Sequence, residues 1–95
     1  MKAAAPYALV WTATFVRTAR KFLQKHLDLH ETFRGVLVQL ETDPKAPWLK
    51  LHALSGKLKG KQAVHLTYAY RIILVVQLIE RDVVLLDIGT HDDVY

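Results

Sequence analysis

The stretch AVHLTYAYRIILVVQLIERDVVLLDIGT, residues 63–90, decides the fold. It is rich in valine, isoleucine, leucine and tyrosine and holds no proline, a composition that suits strands. The polar turn Glu80-Arg81-Asp82 separates a strand over Tyr70 to Ile79 from another over Val83 to Thr90. Ala63 to Tyr68 forms a third, although no Gly, Pro, Asn or Asp marks the turn near Thr67 to Ala69. The most hydrophobic part, Ile72 to Ile79, is bracketed by Arg71 and Glu80 and is too short to span a bilayer.

Upstream, Ser55-Gly56 and Gly60 punctuate a basic loop, and before it Leu49, Leu51 and Leu54 alternate with Lys50 and His52 as in a strand. Before Pro44 and Pro47 the period changes. Leu29, Phe33, Val36 or Leu37, and Leu40 line one face of a helix, and Asp28 with Glu31 has the spacing of a capping box that opens it. Gly35 weakens this helix by up to ~1 kcal/mol relative to alanine, and the two prolines close it. Phe15, Ala19, Phe22, Leu23 and His26 or Leu27 form the buried stripe of an earlier helix, with Arg17, Lys21 and Lys25 on its open face. A turn this short implies an antiparallel helical hairpin. Tyr7 to Thr12 suits a first strand. Trp11, Trp48 and Tyr68 are expected to pack. Helices followed by strands predict an α+β fold, a mostly antiparallel small sheet with the hairpin on one face.

Residues 1–95 make one domain. An apolar content of 52% is enough for one core, and the absence of cysteine excludes disulfides, thiolate metal sites and thiol catalysis. The formal charge of +4 favours phosphate backbones, anionic membranes or an acidic partner protein. Met1-Lys2 and three alanines do not form a signal peptide, because the small residues precede the apolar run. A soluble, cytoplasmic protein is expected.

Chemistry centres on histidine, of which there are five. His26 and His30, around the helical turn, suit structural or solvated roles. His52, His65 and His91 all fall at or near strands, beside a lysine-rich loop and Arg71. Three imidazoles can hold zinc, but no HxH or HxxxH pair occurs among them. They can also cleave RNA without metal. One group takes the proton of a 2′-hydroxyl, another protonates the leaving 5′-oxygen, and cations neutralise the phosphoryl oxygens. Imidazole titrates near working pH, and arginine is a permanent forked cation.

The run His52-Ala53-Leu54-Ser55-Gly56, then Leu58-Lys59-Gly60 and His65, is similar to the central motif of the YafQ family of toxins. Gly89-Thr90-His91 with Tyr95 four positions later resembles that family's ending, and Tyr70-Arg71-Ile72-Ile73 resembles a strand common to RelE-type toxins. The resemblance covers nearly the whole chain. It implies a RelE-like fold and a metal-independent, ribosome-dependent mRNA endoribonuclease with no cofactor, partnered by a cognate antitoxin, the ribosome and mRNA. His52, His65 and His91 would form the active site, with His91 the general acid and His65 or His52 the base. Arg71 would face the transition-state phosphate, and Tyr95 would stack on an RNA base. Lys50, Lys57, Lys59 and Lys61 would hold the RNA backbone. Where the family has an aspartate and a tryptophan after the second histidine, this chain has Ala69 and Tyr70. A ParE-like inhibitor that binds a topoisomerase without catalysis, and a catalytically degenerate module, are the alternative readings.

Overall fold

The computed structural model describes residues 6–90. Strand β1 (Ala8–Trp11) leads into helix α1 (Ala13–Lys25), and a short turn of helix over Leu27–Leu29 connects to α2 (His30–Thr42). Strands β2 (His52–Ala53), β3 (Gln62–His65), β4 (Tyr70–Gln77) and β5 (Asp82–Thr90) follow. They form one sheet in the order β1-β5-β4-β3-β2, antiparallel except for β1 along β5. This is the expected α+β arrangement.

Helix α1 starts where Thr12 caps it. The Thr12 hydroxyl accepts from the amide of Phe15 (3.2 Å) and donates to the carbonyl of Leu85 in β5 (2.7 Å), so one side chain ties the helix start to the sheet. From there Phe15, Ala19 and Phe22 turn inward, as do Phe33, Val36 and Leu40 of α2. Phe15 and Phe33 stack with ring centres 6.2 Å apart. This layer packs on Val64, Leu66, Ile72, Leu74, Val83, Leu85 and Ile88 of the sheet. Fully burying each of the larger side chains stabilises the fold by about 1.5–3 kcal/mol.

Alternation along the strands gives the sheet a second, outer face. Ala63 and Ile73 are buried there in a small separate cluster, with Leu54 and Leu86 packed against them. The alternation is broken once. Ile73 pairs with Asp87 and Leu74 with Leu85, so Leu86 is an extra residue on β5. This β-bulge turns two successive residues, Leu86 and Asp87, to the outer face.

Four local expectations are corrected. Asp28 and Glu31 form no capping box, because helix α2 begins at His30 after the Leu27–Leu29 turn, and no side chain caps it. The expected strand over Leu49 to Leu54 shrinks to His52–Ala53, because Pro47–Leu49 form a helical turn and Lys50 is left-handed at φ 53°. The strand expected to run from Ala63 to Tyr68 ends at His65. There Thr67 makes the turn that no glycine or asparagine signals, its hydroxyl accepting from the amide of Ala69 (3.2 Å). Trp11, Trp48 and Tyr68 are all exposed, Tyr68 at 88%. Trp11 still packs edge-on to Phe15, whereas Trp48 donates from Nε1 to Gln39.

Candidate functional site

Pairing places the candidate residues on the outer face. Residues opposite one another in antiparallel strands share a face, with Cβ atoms roughly 5 Å apart. His52 lies opposite Ala63, and His65 lies opposite Arg71. Ala63 and Ile73 define the outer face, so His52, His65 and Arg71 share it. His52 and His65 are then diagonal neighbours across β2 and β3, about 7–8 Å apart. Lys50, two residues before His52, lies near enough for its charge to act on His65.

The electrostatics follow from this row. Burial lowers the pKa of His65 below its ordinary 6.5, and the charges of Lys50 and then Arg71 push it further down. His65 is therefore neutral at neutral pH. His52 is exposed, and its Nδ1–H donates to the Lys50 carbonyl (2.9 Å). A carbonyl only accepts, so in the neutral ring this bond puts the basic lone pair on Nε2. Lys50 thus serves two histidines, orienting His52 through its carbonyl and opposing protonation of His65 through its ammonium.

The lysine-rich loop forms the rim. His52 and residues of the Ser55–Leu58 segment enclose a surface hollow of about 460 Å³. Lys57 and Lys59 are exposed, and Lys61 is half-buried. A second hollow of about 370 Å³ shares Leu58 with it and is lined also by Thr12, Thr14, Lys61, Ile73, Leu86 and Asp87.

The described residues thus bring together His52, His65, Arg71 and Lys50, with Lys57, Lys59 and Lys61 on the adjoining loop. His91 and Tyr95 lie outside the described residues. His91 follows directly on Thr90, where β5 ends. His26 and His30 take structural positions. The His26 ring packs on Phe22 and Tyr70, and His30 Nε2 bonds the Leu23 carbonyl (3.0 Å). Among the described residues no three histidine, aspartate or glutamate side chains converge as a metal site. No described helix is long and apolar enough to cross a membrane. Sequence reasoning missed Asp87, although a carboxylate inside an otherwise apolar strand was a signal available to it.

No protein-family model and no curated protein sequence matches the chain. Solved structures do. Escherichia coli YafQ superposes with a TM-score of 0.77 at 16% identity, over 94% of this chain and 98% of that one. The YoeB/ParE toxin of Agrobacterium tumefaciens gives 0.70 at 20% identity, over 88% and 98%. YafQ in the E. coli DinJ-YafQ toxin-antitoxin complex gives 0.67 at 18% identity, over 95% and 98%. With the strand order and the outer-face row of histidine and arginine described above, these superpositions identify the fold of this chain as that of the RelE/YafQ-type toxins.

Proposed function

We propose that this chain is the toxin of a toxin–antitoxin pair and cuts messenger RNA on the ribosome without a metal ion. The observation that carries the reading is the row on the outer face, where His65 stands opposite Arg71 and near Lys50 with His52 on the diagonal. A phosphodiester held across this row meets two cations and two imidazoles.

His52 is the better base of the two. The Lys50 carbonyl fixes its tautomer, with the lone pair on Nε2, whereas the charges of Lys50 and Arg71 near His65 oppose protonation there. Nε2 of His52 takes the 2′-hydroxyl proton, and the 2′-oxygen attacks the adjacent phosphorus in line. Arg71 and Lys50 offset the charge growing on the phosphoryl oxygens, and neutral His65 donates one hydrogen bond to them. The bond to the 5′-oxygen breaks, leaving a 2′,3′-cyclic phosphate and a 5′-hydroxyl. On the resemblance, His91 supplies the proton to that oxygen and Tyr95 stacks on an RNA base. Lys57 and Lys59 hold the backbone without reading sequence, and Lys61 adds a cation on the same loop. Assigning the base to His52 also answers the aspartate missing at Ala69, since the tautomer is set by a main-chain carbonyl instead of a carboxylate.

An antitoxin partner is supported by the DinJ-YafQ superposition and by the +4 charge, which an acidic protein would complement. The test is primer-extension mapping of a defined message translated in vitro with wild type, His91→Ala and His52→Ala. Cuts at particular codons are expected only with wild type and only with ribosomes, and a chelator leaves them unchanged. A folded wild type that makes no cuts overturns the nuclease, and inhibition of a topoisomerase is then the activity to assay.

A further inference from the structure

The hollow around Asp87 has no part in the chemistry above. It contains a carboxylate, which a phosphate backbone would avoid, on a surface otherwise lined with cations. The bulge at Leu86 is what puts it there, since regular alternation after Leu85 would turn Asp87 toward the helices. Asp87 Oδ1 accepts from the amide of Ile88 (2.8 Å), and Oδ2 takes no hydrogen bond from the described residues. Ile73, Leu86 and Leu58 supply apolar walls, and Lys61 is the one cation among the described residues of the lining. At about 370 Å³ the hollow falls in the ~300–1,000 Å³ range of small-molecule sites.

A ligand for this hollow must be flat and uncharged where it meets the carboxylate, must offer N–H donors to it, and must offer an acceptor to the lysine. Guanine fits these terms. Its N1–H and N2–H₂ lie side by side on the Watson–Crick edge, matching the two oxygens of a carboxylate, and its O6 beside them accepts from an ammonium. Adenine presents one donor beside a ring acceptor on that edge, and uracil one N–H between two carbonyls. Neither pairs twice with a carboxylate. Asp87 is also diagonal to Arg71 across β4 and β5, since Arg71 pairs with Gly89 and Ile73 with Asp87. That separation of about 7–8 Å is within reach of a nucleotide adjoining the phosphate on Arg71.

We propose that the Asp87–Lys61 hollow is a nucleobase subsite that selects guanine in single-stranded RNA next to the phosphate held by His65 and Arg71. It rests on the RNA-binding part of the function proposed above, but its test does not depend on cleavage. Fluorescence anisotropy compares two 2′-O-methyl hexanucleotides that differ only by guanine or adenine at one position and cannot be cut. Wild type should bind the guanine oligonucleotide at least about fivefold more tightly, the lower end of what one bidentate base contact supplies. In Asp87→Asn, with an unchanged melting temperature, the ratio should fall to near one, because the amide keeps the shape but replaces an acceptor with a donor. Lys61→Met, at a rim position, should reduce the ratio while leaving some preference.

A wild-type ratio near one, or a ratio that survives Asp87→Asn, overturns the subsite. Guanine preference lost in Asp87→Asn upholds it even if no message is cut. Cuts without guanine preference leave the nuclease standing and remove the subsite.

Discussion

Lys50→Gly tests the link between backbone strain and site electrostatics. Lys50 sits at φ 53°, ψ 45°, a left-handed conformation that costs an L-residue roughly 1–2 kcal/mol and glycine nothing. Glycine gives back ~0.5–1 kcal/mol through the freedom it loses on folding. The difference is a net stabilisation of about 0.5–1 kcal/mol, or about 2–8 °C in melting temperature for a domain this size. The same change removes one of the two charges beside His65, so the pKa of His65 should rise toward 6.5. The return is partial, because burial is the larger cause and stays. Folding linkage then has a definite sign. A histidine depressed in the folded state contributes stability that is complete above 6.5 and is lost as pH falls through the folded value. Acid should therefore destabilise Lys50→Gly less than wild type. If Lys50 also contacts one phosphate, the log–log salt slope of RNA binding should shrink by about 0.7. Lys50→Met separates the two effects, removing the charge while keeping the strain. Thermal melts across pH and an NMR titration of the His65 ring give the readouts. A lower melting temperature, or an unmoved His65, refutes the reasoning.

Other perturbations probe separate parts of the molecule. Thr12→Ala removes both the cap on Phe15 and the bond to Leu85. It should cost about 2 kcal/mol by thermal or denaturant unfolding, while Thr12→Ser recovers most of it. Arg71→Gln should leave the fold intact and lower message cleavage by about 10²–10³, the usual loss when one donor to a developing charge is removed. Single-turnover kinetics on ribosome-bound message would measure it. Tyr68→Ala, at a position 88% exposed, should change stability by no more than about 0.5 kcal/mol in a chemical melt.

Helical periodicity identified the inward stripes of both helices, because a core layer must repeat every three or four residues. Phe15, Ala19, Phe22, Phe33 and Leu40 are all buried. The long strands were equally legible as apolar runs. Boundaries set by single backbone torsions were not. The Lys50 conformation cut short a strand that the alternation of Leu49, Leu51 and Leu54 suggested. The Thr67 turn relies on a hydroxyl that is common in strands, so its composition gave no warning. The aromatic residues misled for a related reason: an indole or phenol side chain has as much use at an exposed rim as in a core.

His52, His65 and Arg71 stood out as candidates because chemistry restricts which side chains can move protons or bind phosphate. Their convergence depended on register. A shift of β3 by one residue would send His65 to the helix face and put Val64 in its place. The buried pair Val64 and Leu66 prevents that slip, since it would exchange two core side chains for an imidazole and an alanine. The same hydrophobic layer that stabilises the domain therefore holds His65 opposite Arg71. On β5 the constraint works differently. Leu85 and Ile88 are both buried although they are three residues apart, a spacing a flat strand cannot satisfy on one face. The bulge at Leu86 reconciles them, and its consequence is a carboxylate on the basic face.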